Sequence, residues 1–569
     1  MIVATLLCLL FTQCFVAYPL YQLYRNYVSA RRSGLRIIVS PITPYTLQWQ
    51  LAASLLRPHL QDYRWFRAID WTCCWQDNDK LHRELGLCFI VVAPGHNILC
   101  TSDPKTIEHV LKDWRGFVKP DNVNEILGTF GQNVDTSNGD DWIRHRKLTA
   151  PCFNERASAT VWNEALEQSK TMTERWLSSP GGKTNSMIKD TGTLALNVIS
   201  SVAFETTEVN EPTPGHTLSL RDALVTVMST SISPAIESIV PLFKYPVLQS
   251  ILPISTKELL SAMHEFRQYM DETIARERSK VAGGQFKAAT LISTLISANE
   301  KAKTGSGVSK SKLSDVELRG NIFIFAVGGL ESTSITLSYA LTLLAVYPDI
   351  QDWVVEELDE VLKDEAADEM EYTNIFPRLK RVMAVMYETL RLYGPSPPLP
   401  RSPFPAHIQR TIPQTSSEFE KANETVLLPA NTQIMLNSWA SHTSAANFSD
   451  PLTWNPKRWI QTPPSDNNKT ALSEMLSAEE LKHPTSGSGF FAWGTGPRIC
   501  PGMKFSQVEF CSVLSSVLKR VRVEVVFQEG EKMGVAKQRV MSILRDSCAD
   551  PLLLHVRQPE KLELRFFER

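Results

Sequence analysis

The sequence has no charged side chain before Arg25 and no acidic side chain before Asp62. Residues 1–24 are mostly apolar, and a membrane-spanning helix needs about 20 such residues. A cleaved secretory signal carries positive charge before its apolar run, and no charge precedes this one. Arginines follow the run instead, which favours a retained anchor with the rest of the chain in the cytosol.

The chain also lacks a surplus of charge of either sign. Its 59 basic and 61 acidic side chains give a net charge of −2, which does not indicate nucleic-acid binding. The ten cysteines include no CxxC pair, which argues against a zinc site, and a cytosolic location would keep them reduced. No internal repeat occurs, and no glycine fingerprint for a dinucleotide or a flavin is present.

The order of residue types predicts three consecutive segments. Residues 1–24 are predicted to be a transmembrane anchor, residues 25–60 a basic and proline-containing linker, and residues 61–569 one catalytic domain. Helical patterns dominate between about residues 104 and 400, and short apolar runs such as Leu87–Val92 indicate strands. The predicted fold class is therefore mainly α with small β-sheets.

A second apolar run, Asn321–Tyr347, carries one charged side chain, Glu331. Its length would suit a membrane span, which would make the protein a receptor or transporter. The centre of the run, residues 328–334, is too polar for an isolated lipid-facing helix, so we predict a core helix of the soluble domain. A Gly-Gly pair beside an acid and hydroxyls weakens a helix locally, and such defects often mark functional sites.

The stretch FAWGTGPRICPGMKF, residues 491–505, places glycines on both sides of Cys500. A nucleophilic cysteine needs a histidine base, and none is nearby. Zinc and iron–sulfur sites need companion cysteines, which are also missing here. A single thiolate suits haem iron, because the porphyrin supplies four further ligands. Arg498 would then reach a haem propionate, and backbone N–H groups after Cys500 would bond to its sulfur.

The segment WGTGPRICPG resembles the haem-binding signature of the cytochrome P450 monooxygenases, with Trp493 where the family usually has Phe. The segment Glu388-Thr-Leu-Arg391 resembles the ExxR helix of this family, and the i, i+3 spacing puts both charges on one face. Arg458 lies in a segment, WNPKRW, that resembles the family's aromatic–Pro–Arg stretch. The resemblance implies a buried structural triad of Glu388, Arg391 and Arg458; the alternative is an ordinary surface ion pair.

The segment Trp142–Lys147 resembles the WxxxR helix of the family, in which Trp142 and Arg146 meet a haem propionate. Arg144 and Lys147 would then face the cysteine side and help to dock an acidic electron donor, or form a solvated basic patch. The resemblance implies haem b as cofactor, with Cys500 as the iron ligand. The implied cofactor-binding residues are Cys500, Arg498, Trp142, Arg146, Arg401, Trp493, Gly494 and Gly502.

The centre of the second apolar run resembles the family's proton-delivery motif but departs from it. That motif has Ala or Gly, then Gly, any residue, an acid and Thr, whereas this chain has Ser332 at the Thr position and Thr333 after it. The resemblance implies that Glu331, Ser332 and Thr333 deliver protons to bound dioxygen. The alternative is that Ser332 bonds to a carbonyl of its own helix, as serines within helices commonly do.

The resemblance implies a monooxygenase anchored in the endoplasmic reticulum membrane, which receives electrons from NADPH–cytochrome P450 reductase. Apolar stretches at the family's pocket positions suggest a lipophilic substrate, such as a terpenoid or polyketide of secondary metabolism. The polar insertions at 416–425 and 462–488 resemble those of filamentous-fungal members. Two alternatives are a haem-thiolate enzyme that rearranges or dehydrates its substrate without external electrons, and a haem sensor. The predicted pocket stretches are 117–136, 232–252, 325–329, 396–399 and 540–543.

Overall fold

The computed structural model of the chain describes residues 13–44, 46–121, 127–204, 211–229, 254–284, 290–304, 312–363, 370–415, 425–462, 472–549 and 553–569. Residues 1–12 of the predicted anchor, the predicted pocket stretch 232–252 and parts of both predicted insertions lie outside these ranges. The fold is mainly helical with small sheets, as the sequence predicts.

The helices differ in length from one turn to nearly nine, and the strands are short. The α-helices of the described residues are Tyr18–Ala30 (α1), Leu47–Leu60 (α2), Arg64–Ile69 (α3), Trp71–Asp77 (α4), Lys80–Leu85 (α5), Pro104–Lys112 (α6), Gly139–Thr149 (α7), Glu155–Ser178 (α8), Met187–Phe204 (α9), Leu220–Ser229 (α10), Ile254–Ala282 (α11), Leu291–Thr304 (α12), Asp315–Val346 (α13), Pro348–Val361 (α14), Tyr372–Ile375 (α15), Lys380–Tyr393 (α16), Ser438–His442 (α17), Leu472–Ala478 (α18), Met503–Arg520 (α19) and Met533–Arg545 (α20).

The strands form one mixed sheet near the N-terminus and several small ribbons. They are Arg36–Val39 (β1), Cys88–Val92 (β2), Asn97–Thr101 (β3), Phe117–Val118 (β4), Lys183–Thr184 (β5), Leu399–Pro403 (β6), Arg410–Pro413 (β7), Thr425–Leu428 (β8), Thr432–Leu436 (β9), Ile460–Gln461 (β10), Glu480–Leu481 (β11), Val521–Val525 (β12), Ser547–Ala549 (β13), Leu554–Val556 (β14) and Leu564–Glu568 (β15). The largest sheet has six strands in the order β1-β2-β3-β9-β6-β4.

The segment that the sequence predicts as a linker, residues 25–60, forms regular structure on this sheet. Strand β1 pairs in parallel with β2, with Ile37 opposite Ile90. Helix α1 continues across residue 25, and the Asn26 side chain donates to the backbone oxygens of Ala93, at 2.8 Å, and of Pro94. Helix α2 buries Trp49 against the other face of the sheet region. These residues therefore belong to the folded body.

The long helix α13 runs through the main hydrophobic core. Ser314 caps its N-terminus, and Glu317 reciprocates in a capping box, which satisfies backbone groups that the first turn leaves unpaired. Of the described residues, this helix alone is long and apolar enough to cross a membrane, but 61% of its most apolar stretch is buried. It packs closely on α9, where a Cβ at Gly329 would lie 2.8 Å from Ile199. The second apolar run is thus a core helix, as predicted.

Candidate functional site

Cys500 ends the glycine loop and is exposed, whereas the six other cysteines whose side chains the structure describes are buried or half-buried: Cys74, Cys88, Cys100, Cys152, Cys511 and Cys548. Its backbone N–H donates to the Trp493 oxygen at 2.9 Å, which closes the loop. Burial raises the pKa of the thiol, while the Gly502 N–H and the positive charge of Arg146 act in the opposite direction. The thiol is thus accessible although protein atoms surround it closely, and the positive charge of Arg146 lies nearby.

The glycines of the loop serve different purposes. Gly494 and Gly496 have φ values of +71° and +73°, a conformation that side chains with a Cβ rarely adopt. A Cβ at Gly496 would lie 3.0 Å from the Leu111 oxygen on α6, so this glycine allows packing against protein. Gly494 has open space beside it and is available to a flat ligand. Trp493 is held by a hydrogen bond from its indole N–H to Ser506, at 3.1 Å.

Arg498 is fixed by the loop that precedes α7. Its Nη1 donates to Asn138 Oδ1 at 3.0 Å, and its Nη2 donates to the backbone oxygens of Asp135 and Ser137 at 3.1 and 2.6 Å. The guanidinium also lies 5.1 Å from the ring centre of Trp142. Burial lowers the pKa of Arg498 to about 10, although the negative charge of Asp135 opposes the shift.

Two further basic side chains surround the same point. Lys119 forms an ion pair with Asp135, and burial lowers its pKa to about 8, an effect that Asp135 opposes and that Arg401 and Arg498 increase. Burial and the charge of Arg498 lower the pKa of Arg401 to about 10. The sequence analysis did not identify Lys119 or Asp135, because no local pattern links residue 119 to a loop near residue 500.

Arg146 on α7 completes the basic group. Its guanidinium has no hydrogen-bond partner among the residues that the structure describes, and burial lowers its pKa while the nearby Cys500 raises it. The group therefore contains four cations, Lys119, Arg146, Arg401 and Arg498, around the single carboxylate of Asp135. A half-buried excess of positive charge needs an anionic partner. The two carboxylates of a haem, together with the free thiol and the open side of Gly494, fit this arrangement.

Arg144 is paired with acidic side chains of the protein and is not a solvated surface residue, which corrects the basic-patch interpretation for this side chain. Its Nη2 contacts Glu317 Oε1 at 2.5 Å and Asp141 at 2.9 Å, and its side chain is 16% exposed. The contact ties α7 to the first turn of α13. Lys147, by contrast, is exposed.

Glu317 receives this contact and caps α13 at the same time. Burial would raise the pKa of its carboxyl, but hydrogen bonds from Arg144 and Ser314 outweigh burial and lower the pKa to about 2. A depressed carboxyl pKa contributes stability above its unfolded value and loses it as the pH falls through the folded value. The link between α7 and α13 is therefore at full strength at neutral pH and is lost only below about pH 4.

Glu388 contacts both Arg391 and Arg458. Glu388 and Arg391 are fully buried on α16, with Nη2 to Oε1 at 2.8 Å, and Arg458 Nε reaches the same Oε1 at 3.0 Å. The Trp459 indole N–H and the Asn455 backbone N–H also donate to Glu388. Arg391 donates further to three backbone oxygens, of His442, Pro451 and Thr453. Every charged atom of the buried pair therefore has partners.

One stripe of α13 is open although the helix is mostly buried. Gly328 is exposed, and Ile324, Glu331 and Ile335 are half-buried on the same side, at spacings of three and four residues. A Cβ at Gly328 would meet no atom within 4 Å. Burial raises the pKa of the Glu331 carboxyl, and the charge of His555 opposes the shift. The open side of the helix is thus apolar except for Glu331 and the neighbouring Ser332.

The structure separates the three predicted proton-delivery residues. Ser332 lies beside Glu331 on the open side, and its hydroxyl donates to the Gly328 oxygen at 2.8 Å, which is the local bond that the alternative interpretation predicted. Thr333 is buried, and its hydroxyl lies near the Glu509 carboxyl on α19. Burial raises the pKa of Glu509 to about 8, so this acid is mainly protonated at neutral pH.

The hairpin β13–β14 lies against α13, which the sequence analysis did not predict. Tyr339 on α13 shares a hydrogen bond of 2.7 Å with Ser547, and the Leu554 N–H donates to the Pro395 oxygen. The predicted pocket stretch 540–543 instead belongs to α20, where Val540 is fully buried in the core.

Comparisons with known proteins agree with this geometry. The family model described as Cytochrome P450 matches residues 63–547. A cytochrome P450 monooxygenase of Arthrobotrys oligospora is 28% identical over 567 residues, covering 93% of this chain and 93% of that protein. One from Penicillium roqueforti is 29% identical over 563 residues, covering 92% of each chain. The phomenoic acid biosynthesis cluster cytochrome P450 monooxygenase of Leptosphaeria maculans is 28% identical over 576 residues, again covering 92% of each.

Proposed function

The chain belongs to the cytochrome P450 family, monooxygenases whose haem iron is bound by a cysteine thiolate, and we propose that Cys500 is that thiolate in an enzyme that oxidises a lipophilic small molecule. The observation that carries the proposal is the exposed thiol beside a group of four cations with one carboxylate. None of the six other cysteines whose side chains the structure describes is exposed.

The haem supplies dioxygen activation, and the chain supplies binding, orientation and protons. The Cys500 sulfur would hold the haem iron and supply electron density to it, and the Gly502 N–H would moderate that donation. Arg146, Arg401 and Arg498 hold the haem carboxylates together with the Trp142 side chain. Lys119, held by Asp135, belongs to the same group, and Gly494 lets the backbone approach the flat ring. Glu388, Arg391 and Arg458 hold the fold and take no part in the chemistry.

We assign proton delivery to Glu331 and Ser332. Glu331 is half-buried with a raised pKa, so it exchanges protons nearer to neutral pH than an exposed glutamate does. Ser332 uses its proton in the bond to Gly328, and its lone pairs remain available to a water on the open side. Thr333 is turned towards Glu509 and serves this role only if the helix rearranges.

Ser332→Ala should reduce the yield of product per NADPH and increase hydrogen peroxide, because a water at this position loses the hydroxyl oxygen that accepts its hydrogen bond. The measurement is NADPH consumed, peroxide formed and product formed in a reconstituted reductase system. Ser334→Ala is the matched control, since Ser334 makes the same kind of bond, to the Glu331 oxygen at 3.0 Å, but is buried. Equal coupling in both variants would show that Ser332 has no part in proton delivery.

The substrate is proposed to be lipophilic because the open stripe of α13 presents Ile324 and Ile335 beside Gly328. A secondary metabolite fits the relative named for the phomenoic acid biosynthesis cluster. Electrons would come from NADPH–cytochrome P450 reductase, since the sequence has no dinucleotide or flavin motif. The test is expression with the reductase and comparison of metabolites with a strain that lacks the protein. Product formed without any reductase would instead favour electron-free rearrangement.

Residues 1–24 are proposed to anchor the enzyme in the endoplasmic reticulum membrane. Within their described part, Tyr18, Tyr21 and Tyr24 are all more than half exposed, at 59%, 57% and 67%, which suits a membrane interface. Deleting residues 1–24 should release the enzyme from microsomes on alkaline extraction, with the thiolate haem spectrum retained, because Asn26 still docks on the sheet. A truncated chain that resists extraction would identify another membrane-inserted segment.

A further inference from the structure

Asn321 is fully buried where α13 crosses α7 and the loop 133–138. Its Oδ1 accepts the Val134 backbone N–H at 3.0 Å. Its Nδ2 donates to His145 Nδ1 at 2.9 Å and to the Glu317 backbone oxygen at 2.7 Å. One amide therefore connects three elements of the chain, and none of its contacts is to a residue that holds the cofactor.

The orientation of this amide follows from its partners. Val134 offers a backbone donor, so the oxygen of Asn321 must face it and the nitrogen must face His145. The Nδ1 atom of His145 then accepts, and its proton sits on Nε2, which faces Glu317 Oε1 at 3.3 Å. Burial lowers the pKa of His145, which favours this neutral form. The network has one self-consistent arrangement.

The contact at Val134 holds the loop that fixes Arg498. Asn133 Oδ1 accepts the next two backbone N–H groups, of Asp135 and Thr136, and makes a tight turn. The following residues provide the three acceptors of Arg498. Asn138 also bonds to the Lys119 backbone in both directions, at 3.1 and 2.9 Å. A shift at Val134 would therefore move both Arg498 and Lys119.

The contact at His145 positions helix α7, which carries one further cation of the group, Arg146. His145 lies on α7 between Trp142 and Arg146, one residue before the arginine. Its imidazole is fully buried and has Asn321 and Glu317 as its described partners. The rotation of α7 about its axis, and hence the direction of Arg146, depends on this contact.

We propose that Asn321 is the positioning residue of the carboxylate-binding group, setting Arg498 and Lys119 through the loop 133–138 and Trp142 and Arg146 through α7. The inference rests on the proposed function, in which these side chains hold the haem carboxylates. Asn321 acts through these side chains and does not itself belong to the carboxylate-binding group. Its loss should therefore change the rate of haem release and the propionate environment.

The test compares Asn321→Leu with Asn299→Leu in the full-length holoenzyme. Asn299 is equally buried and also bridges two backbone groups, the N–H and oxygen of Leu313, but lies on α12 and does not contact the cation group. The readouts are haem transfer to excess apomyoglobin and the haem propionate bending modes in resonance Raman spectra. Asn321→Leu should speed haem transfer about tenfold and shift the propionate modes. Asn299→Leu should lower thermal stability without either change.

His145→Phe tests one arm separately and remains informative if Asn321→Leu does not fold. It should speed haem transfer severalfold. In the double variant with Asn321→Leu, the acceleration should be smaller than the product of the two single-variant accelerations, because the two residues act through one contact. Haem transfer that is unchanged in His145→Phe, or equally fast in the Asn321 and Asn299 variants, would overturn the inference. A wild-type protein without a thiolate haem spectrum would instead overturn the proposed function.

Discussion

Replacing Cys500 by serine should abolish the red-shifted Soret band that a thiolate-bound haem shows in its reduced carbon monoxide complex. A serine hydroxyl stays protonated and is a weak iron ligand, whereas the cysteine sulfur binds as a thiolate. Monooxygenase activity should fall to background, since the electron donation that favours O–O cleavage is lost. The measurement is the carbon monoxide difference spectrum together with total haem content, which separates loss of the ligand from loss of the protein.

Cys511→Ala is the control for this substitution. Cys511 is fully buried on α19, the helix that follows the loop, and burial raises its pKa well above the usual value. Its replacement should leave the band in place even if the protein is less stable. A Cys500→Ser protein that keeps the wild-type band would show that another side chain binds the iron, and the assignment would fail.

Replacing Glu388 by alanine should prevent accumulation of folded, haem-loaded protein. The change leaves Arg391 buried without its carboxylate and removes a partner of Arg458 and Trp459. Breaking a buried ion pair on one side costs about 3–5 kcal/mol, a large part of the free energy of unfolding of a typical domain. The measurements are haem content per polypeptide and the free energy of unfolding from denaturant titration.

An exposed ion pair gives the comparison. Glu174 lies 3.3 Å from Arg520, and the two side chains are 63% and 43% exposed. Glu174→Ala should cost less than about 1 kcal/mol, because solvent screens such pairs. Normal haem content with slow turnover in Glu388→Ala would contradict a structural role and indicate a catalytic one.

The parts of the site that the sequence predicted are those whose residues are near one another in the chain. The ExxR spacing fixes Glu388 and Arg391 on one helical face wherever the helix lies. The glycine loop likewise keeps Arg498 two residues from Cys500. The bond from Ser332 to Gly328 was also foreseeable, because it joins residues four apart in one helix.

Contacts between distant segments were not predictable from one sequence. Lys119 meets Arg498 across nearly 400 residues, and Arg144 meets Glu317 across 173, so neither contact leaves a periodic pattern. The same reason explains why the sequence predicted a linker at residues 25–60, where the structure has helices and a strand. The Ile-Ile-Val run of Arg36–Val39 is typical of a strand, but four residues do not identify the partner strand, and the pairing with β2 is what makes them part of a sheet. The roles of Lys119 and Asn321 emerge only when distant segments are brought together.

The excess of cations beside Cys500 has a consequence for biosynthesis. Before haem arrives, Lys119, Arg146, Arg401 and Arg498 repel one another with only Asp135 to compensate, so the empty protein is electrostatically strained and the cofactor acts as its counter-ion. A ligand that binds only the folded state adds about 2.7 kcal/mol of stability at a hundredfold excess over its dissociation constant. The amount of enzyme in a cell should therefore follow the haem supply, because chains that do not receive the cofactor are the ones that proteases remove.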